Sequence, residues 1–216
     1  MLKLRRSFLI SFEGIEGSGK TTQAKMLYDF LKSTGLPCYL SREPGGTEIG
    51  ERIREILLNP KYKGMHPKTE LLLYLASRCQ HTYERILPLF HSKDKGIFIT
   101  DRFSDSSFAY QGVGRGLPLK PLSRLNKWAS FGIKPDLTIL VDIPLEEGKR
   151  RKKGAPDRLE KEKEEFHKRV RQGYFKLAKR AKKRIKVFDG KKDKETLHKE
   201  IREKVLEFLA KKGVKI

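Results

Sequence analysis

The sequence has few cysteines and no long apolar run. Its two cysteines, Cys38 and Cys79, are too few for a disulfide framework, which favours a reducing compartment. The histidines share no metal-ligand spacing with them, so we expect no zinc site. The longest apolar runs, such as residues 71–76, fall far short of the roughly 20 residues that a membrane helix needs. The apolar start of the chain stops at Glu13 without a small-residue cleavage site, so we interpret it as a strand and predict a cytoplasmic protein without membrane attachment.

Acidic residues are also scarce relative to basic ones. Among the 216 residues, 27 are Asp or Glu and 49 are Lys or Arg, which gives a net charge of +22. Such an excess attracts phosphates, nucleic acids or acidic membranes. Hydrophobic residues make up 37% of the chain, enough for a packed core, and no internal repeat or low-complexity linker divides it. We therefore predict a single domain over residues 1–216.

Short apolar runs alternate with longer amphipathic stretches along the chain. The runs predict buried strands at 7–12, 37–40, 96–100, 137–141 and 185–188. The stretches predict helices at about 20–33, 47–58, 67–91, 121–131, 159–182 and 193–212. Trp128 and Phe131 share a face of one of these helices and are predicted to lie in the core. The alternation predicts the α/β class, a three-layer α/β/α domain with a five-stranded parallel sheet, in which ligands bind at the carboxyl ends of the strands.

A glycine-rich loop follows the first predicted strand. Residues 14–21 match the pattern G-x-x-x-x-G-K-[ST] between a strand and a helix, which is the context that this phosphate-binding motif requires. Its glycines let backbone N–H groups surround a triphosphate, and the next helix presents its positive end to the same anion. We predict a nucleoside triphosphate site with Mg²⁺ that consists of Gly14, Ile15, Glu16, Gly17, Ser18, Gly19, Lys20, Thr21 and Thr22.

An acid and a base end the third predicted strand. Asp101 can hold the Mg²⁺ shell together with the hydroxyl of Thr21, directly or through water. Arg102 can reach a second phosphate with its fork of donors. A surface Asp–Arg pair is the alternative interpretation. Downstream, Gln111 offers an amide that can pair with a base edge, and Tyr110 offers a rigid ring that can exclude a bulky group.

The phosphate loop alone does not identify the acceptor, since GTPases, helicases, small-molecule kinases and transport ATPases share it. Further segments of this chain are more specific. They lie at 12–23, 42–47, 71–78, 101–112 and 135–142. With these segments the chain resembles the bacterial thymidylate kinase family, in order from residue 7 to about 190. The resemblance implies a P-loop nucleoside monophosphate kinase fold with a short lid, usually a homodimer. It also implies transfer of the γ-phosphoryl group of ATP to dTMP with Mg²⁺, which gives dTDP for dTTP synthesis.

The resemblance further implies an acceptor site made of Glu16, Glu43, Arg54, Tyr74, Arg78, Arg102, Ser107, Tyr110 and Gln111. In this assignment Arg102 grips the 5′-phosphate, with Arg54 as helper. The ring of Tyr74 stacks on thymine, and the remaining base contacts come from Arg78, Ser107 and Gln111. Tyr110 crowds the 2′ position of the ribose, and the two acids line the site. On sequence alone, Tyr74 could instead be a core residue and Arg54 a solvated helix charge.

A basic segment at about 148–160 is the expected lid. Some members of the family carry an arginine inside the phosphate loop, where this chain has Gly17. Members without it draw arginines from the lid. Arg158 aligns best with that lid arginine, and Arg150 and Arg151 are further candidates, so we expect Lys20, Arg102, Arg158 and Arg150 to be catalytic. A basic connector is the alternative, because such runs are common in a chain of this charge.

Two rival functions remain open at this point. One is a kinase of the same fold that acts on a deoxynucleoside or on another monophosphate. The other is a nucleic-acid-binding P-loop ATPase, which the net charge of +22 suggests. No basic–aromatic stacking groove is evident in the sequence, so we expect no specific nucleic-acid partner.

Overall fold

The computed structural model describes residues 4–152 and 154–214 and contains a sheet of five parallel strands. The strands are β1 (Phe8–Glu13), β2 (Cys38–Arg42), β3 (Ile97–Asp101), β4 (Leu137–Asp142) and β5 (Ile185–Asp189). Their order in the sheet is β2-β3-β1-β4-β5, and every neighbouring pair is parallel. The predicted five-stranded parallel sheet is therefore confirmed. Each strand ends one or two residues later than predicted, on a polar or charged residue.

Helices cover both faces of the sheet. They are α1 (Lys20–Ser33), α2 (Glu48–Leu58), α3 (Pro67–His81), α4 (Leu87–His91), α5 (Ser104–Ser107), α6 (Leu119–Ala129), α7 (Leu145–Arg151), α8 (Glu164–Arg180) and α9 (Lys194–Lys211). Helices α1 and α9 pack on one face of β1, where Leu27, Leu31 and Ile201 are fully buried. On the other face α8 contributes Val170 and Tyr174 to a second apolar cluster. Because both faces are covered, all six residues of β1 are buried.

Two π-helical segments interrupt this pattern. The first, Thr82–Ile86, joins α3 to α4, so the predicted helix over 67–91 is continuous but not uniform. Pro88, expected to end or kink that helix, lies in the first turn of α4 next to the π segment. The second, Phe108–Gly114, follows α5 and packs against α8. Such segments often occur at functional sites, and the second carries two of the predicted acceptor-site residues.

Trp128 and Phe131 do not lie in the core. Their exposed fractions are 79% and 49%, so the core prediction is wrong for both. Helix α6 packs on α3 through Leu122 and Ala129, and this leaves Trp128 on its outer side. The ring of Tyr83 lies 6.4 Å from that of Phe131 and is also exposed. None of the described helices is long and apolar enough to cross a membrane, and a cytoplasmic location stays a prediction.

Candidate active site

The phosphate loop connects β1 to α1 at the carboxyl edge of the sheet. Gly17 and Gly19 have φ of 74° and 90°, a region that glycine adopts without strain. No side chain caps the first turn of α1, so its N–H groups point freely into the loop. Lys20 is buried and its Nζ lies 3.4 Å from the carbonyl oxygen of Ile15. Burial, together with the nearby charge of Arg102, lowers the pKa of Lys20. The loop thus has the shape and charge of a triphosphate cradle.

Asp101 lies beside this loop because β3 pairs with β1. The register places Asp101 opposite Phe12, two residues before the first loop glycine. The hydroxyl of Thr21 donates a hydrogen bond to Oδ2 of Asp101. The other carboxylate oxygen, Oδ1, is buried and has no partner among the described residues. A hydroxyl and an orphaned carboxylate oxygen are the hard donors that Mg²⁺ prefers, so these two residues fit that ion. Within the described residues there is no cluster of three or more His, Cys, Asp and Glu side chains that could hold a metal ion.

Arg102 is held in one orientation by four side chains. Its backbone is in the left-handed region, with φ of 72°, and its N–H donates to the carbonyl oxygen of Phe12 at 2.8 Å. The guanidinium donates to the carboxylate of Glu16 at 2.7 Å. It also donates to three hydroxyl groups, those of Ser106, Tyr110 and Tyr174, at 3.0–3.1 Å. This bonding directs a fixed cation toward the phosphate loop.

Glu16 is the acid of the loop that faces this cation. Its carboxylate accepts hydrogen bonds from Arg102 and from the hydroxyl of Tyr110, at 2.8 and 2.9 Å for its two oxygens. Burial acts to raise the pKa of Glu16, but the charges of Arg102 and Lys20 outweigh it and the pKa is lowered. Glu16 is therefore ionised and offsets part of the positive charge of the site.

A layer of three residues that sequence reasoning missed lies behind Arg102: Glu13, Ser106 and Tyr174. Glu13, at the end of β1, accepts hydrogen bonds from the hydroxyls of Ser106 at 2.6 Å and Tyr174 at 2.9 Å. It also accepts one from the N–H of Phe103 at 2.8 Å. Burial and the charge of Asp105 raise the pKa of Glu13 to about 7. The position of Glu13 directly before the loop was a usable signal, but nothing in the sequence connects Tyr174 on α8 to this site.

A cavity of about 370 Å³ extends from the phosphate loop into the molecule. The loop contributes Glu16, Gly17, Lys20 and Thr21 to its wall. Most of the predicted acceptor residues also line it, together with Asp101 and the lid residues Lys152 and Asp157. Those acceptor residues are Glu43, Arg54, Tyr74, Arg102, Tyr110 and Gln111. The structure thus brings residues of both predicted half-sites, among them Lys20 and Arg102, into one cavity.

Arg54 and Tyr74 both face the cavity. Arg54 is half-buried and donates to the carbonyl oxygen of Pro44 at 2.9 Å. Burial and the neighbouring charge of Arg42 lower the pKa of Arg54. Tyr74 is half-buried and packs against the apolar cluster of α8 while its ring lines the cavity. Arg54 is thus not a solvated helix charge, and Tyr74 combines a packing role with a place in the cavity wall.

Arg78 and Ser107, predicted to contact the base, lie behind the cavity wall. Arg78 is 1% exposed and donates to Glu43 at 2.8 Å, to Ser107 at 2.8 Å and to the carbonyl oxygen of Phe103 at 3.0 Å. Neither residue is among the described residues that line the cavity. Arg78 needs these acceptors once it is buried. Arg78 holds Glu43, which does line the cavity, and Ser107 accepts a hydrogen bond from Arg78, so a direct base contact of Arg78 and Ser107 stays a prediction.

Both lid arginines predicted to be catalytic are paired with acids of this chain. Arg158 is 3% exposed, donates to the carbonyl oxygen of Leu57 at 2.7 Å and pairs with Glu70 at 2.8 Å. These contacts anchor the lid to α2 and α3, and the catalytic role expected of Arg158 stays a prediction. Arg150 is exposed and pairs with Glu147 on its own helix. Lys152 lines the cavity and forms an ion pair with Glu160.

The chain is similar to known proteins both in sequence and in fold. The family model described as Thymidylate kinase matches residues 12–201. Thymidylate kinase of Carboxydothermus hydrogenoformans is 48% identical over 200 residues, which cover 91% of this chain and 96% of that protein. Thymidylate kinase of Kosmotoga olearia is 46% identical to this chain, and the match covers 94% of this chain and 98% of that protein. The crystal structure of thymidylate kinase from Ehrlichia chaffeensis superimposes on this structure with a TM-score of 0.75 at 34% sequence identity. The match covers 94% of this chain and 99% of that chain.

A phosphate loop at the carboxyl edge of a parallel sheet, opened toward a second anion site, defines a P-loop phosphotransferase of the nucleoside monophosphate kinase fold. Within this class, the match over most of the sequence decides the assignment. The chain belongs to the thymidylate kinase family.

Proposed function

We propose that the chain transfers the γ-phosphoryl group of ATP to the 5′-phosphate of dTMP, which gives dTDP for dTTP synthesis. The observation that carries this proposal is the single cavity lined by Lys20 from the ATP side and Arg102 from the acceptor side. Two anionic substrates repel each other, so phosphoryl transfer between them needs fixed cations at their meeting point. The family assignment supplies the identity of both substrates.

On the ATP side, residues 14–22 surround the triphosphate with backbone N–H groups and the end of α1. Lys20 neutralises charge on the β- and γ-phosphates. Thr21 and Asp101 would hold Mg²⁺, which would supply positive charge against the charge that develops on the phosphates. Arg102 and Lys20 therefore act on opposite sides of the transferred group, and in-line placement is their main contribution to the rate.

On the acceptor side, Arg102 grips the 5′-phosphate and Arg54 assists from α2. The ring of Tyr74 stacks on the base, and Gln111 reads its edge. The ring of Tyr110 limits space at the 2′ position, and its orientation is supported by the hydrogen bonds of its hydroxyl to Glu16. Arg78 and Ser107 contribute through Glu43 and the wall behind it.

We assign different roles to the two lid arginines that were predicted to be catalytic. Arg158 anchors the lid through its buried pair with Glu70. Arg150 remains the lid arginine that can approach ATP, since its pair with Glu147 is exposed and such pairs are weak. Closure of the lid over the phosphates excludes water as a competing acceptor.

We also propose that the chain forms a homodimer through the exposed apolar surface of α6 and the π segment before α4. Tyr83, Leu125, Trp128 and Phe131 contribute to this surface, with exposed fractions from 36% to 79%. Exposed aromatic groups of this kind mark protein–protein contacts. Light scattering coupled to size-exclusion chromatography should give a dimer for the natural chain and a monomer for Trp128→Glu. Equal molar masses for the natural chain and Trp128→Glu would reject this surface as the dimer interface.

An acceptor panel with ATP and Mg²⁺ tests the central proposal. We expect dTMP to be the best acceptor among dTMP, dUMP, UMP and AMP, and Lys20→Met to abolish turnover. Faster turnover of AMP than of dTMP would reject the assignment. A second arm measures ATP hydrolysis with DNA instead of dTMP. Only weak, salt-sensitive DNA binding without stimulation is expected, so strong stimulation by DNA would favour an ATPase instead.

A further inference from the structure

The side-chain amide of Gln111 can face the cavity in two ways. It presents either its oxygen, an acceptor, or its NH₂ group, a donor, and the two orientations read opposite base edges. In this structure Nε2 of Gln111 donates to Oε1 of Glu70 at 2.9 Å. Gln111 lines the cavity, and among the described residues none donates a hydrogen bond to its Oε1. The orientation of this amide therefore decides what the cavity accepts.

Glu70 is a fully buried carboxylate surrounded by donors. Arg115 donates to its two oxygens at 3.2 and 2.8 Å, and Arg158 pairs with it at 2.8 Å. Burial acts to raise the pKa of Glu70, but hydrogen bonds from Arg115 and Gln111 and the charges of Arg115 and Arg158 outweigh it and lower the pKa. Glu70 is therefore ionised, and an ionised carboxylate can only accept hydrogen bonds.

An amide beside an obligate acceptor has one permitted orientation. If Gln111 turned over, its oxygen would face the Glu70 carboxylate at hydrogen-bond distance, and two buried acceptors would be left without a proton between them. Leaving buried acceptors unpaired costs about 1–3 kcal/mol per group, more where one is charged. The NH₂ group of Gln111 is thus turned to Glu70, and the oxygen is turned away from it.

We propose that Glu70 is a specificity-determining positioning residue, which holds Gln111 so that its oxygen accepts a hydrogen bond from an imide N–H of the acceptor base. Thymine and uracil carry this N–H at ring position 3. Cytosine carries a bare acceptor nitrogen there, which would meet the Gln111 oxygen without a proton. Glu70 therefore excludes cytosine nucleotides without touching them. This inference rests on the proposed dTMP kinase function.

The test compares kcat/KM for dTMP, dUMP and dCMP in three proteins. Glu70→Gln can donate to Gln111 and so permits the amide to turn over. The matched control Arg115→Lys disturbs the same ion cluster but keeps the carboxylate. We expect the dTMP/dCMP ratio to fall at least about tenfold in Glu70→Gln and to stay within about twofold of the natural value in Arg115→Lys. The dTMP/dUMP ratio should stay constant in both, since both bases carry the N–H.

An unchanged dTMP/dCMP ratio in folded Glu70→Gln would overturn the inference. If that variant does not fold, Gln111→Met supplies the answer, because it removes the acceptor and leaves both arginines on Glu70. We expect Gln111→Met to lose activity on dTMP and to lose none on dCMP. A parallel loss on both nucleotides would overturn the inference. Failure of the natural chain to phosphorylate dTMP would instead reject the proposed function itself.

Discussion

Gly17 of the phosphate loop and Gly148 of α7 are in direct backbone contact. A Cβ atom built on Gly17 would overlap the carbonyl oxygen of Gly148, and one built on Gly148 would lie 2.6 Å from the carbonyl oxygen of Glu16. The loop position at which some relatives carry an arginine is therefore filled here by the first helix of the lid region. Because this packing leaves no room for a side chain at position 17, the loop supplies Lys20 to the site and no cation at position 17.

We predict that Gly17→Ala is much more destabilising than a glycine replacement with the same backbone strain. Gly17 has φ of 74° and no room for a Cβ, because the backbone of α7 cannot move like a flexible side chain. Gly35 has φ of 80° and no atom within 4 Å of the point that a Cβ would occupy, so it provides the matched control. Gly35→Ala should cost about 1 kcal/mol from strain alone. Urea unfolding should show a larger loss for Gly17→Ala, together with weaker ATP binding, and equal losses would contradict the close contact.

The elements that sequence reasoning located correctly are local ones. The glycine pattern, the strand before it and the acid–base pair of Asp101 and Arg102 are each contiguous, and the parallel sheet brings their ends to one edge. The roles of Arg78 and Arg158 were not predictable in this way. Their acceptors, Glu43 and Glu70, come from distant segments, so only the folded chain shows that both guanidinium groups are buried and paired.

Arg102→Lys should remove most of the activity although it keeps the charge. A lysine cannot reproduce the fork that contacts Glu16 and three hydroxyls at once. We expect kcat/KM for dTMP to fall at least about 100-fold, with KM for ATP little changed. Arg52→Lys, on the exposed face of α2, is the control and should behave like the natural chain. Steady-state kinetics with each substrate varied separately checks this, and a change confined to the KM for ATP would place Arg102 on the other half-site.

Arg158→Ala should act on stability before it acts on chemistry. The change leaves Glu70 buried with one cation fewer and removes the bond to the carbonyl oxygen of Leu57. Breaking a buried pair from one side costs about 3 kcal/mol or more, which a lowered midpoint of urea unfolding would record. Arg150→Ala should leave the midpoint unchanged, since its pair with Glu147 is exposed, and should lower kcat. A normal midpoint with a strongly reduced kcat for Arg158→Ala would restore Arg158 as a catalytic cation.

Glu13 should make the stability of the protein depend on pH near neutrality. Burial and Asp105 raise its pKa from 4.5 to about 7 in the folded chain, whereas the unfolded chain keeps the ordinary value. The folded state therefore binds the proton more tightly. The stabilisation that comes from the raised pKa of Glu13 is complete below the ordinary pKa and is lost as the pH rises through about 7. It amounts to about 3 kcal/mol in total.

Glu13→Gln tests this dependence because glutamine keeps the shape and does not titrate. Between about pH 5 and about pH 8, the free energy of unfolding of the natural chain should fall more steeply with pH than that of Glu13→Gln. Glu16→Gln is the control. The pKa of Glu16 is lowered although burial opposes this, because Arg102 and Lys20 favour the ionised form, so it stays ionised across this range and its removal should not alter the slope. Parallel pH profiles for the natural chain and Glu13→Gln would show that Glu13 is ionised in the folded protein and that Ser106 and Tyr174 stabilise its charge.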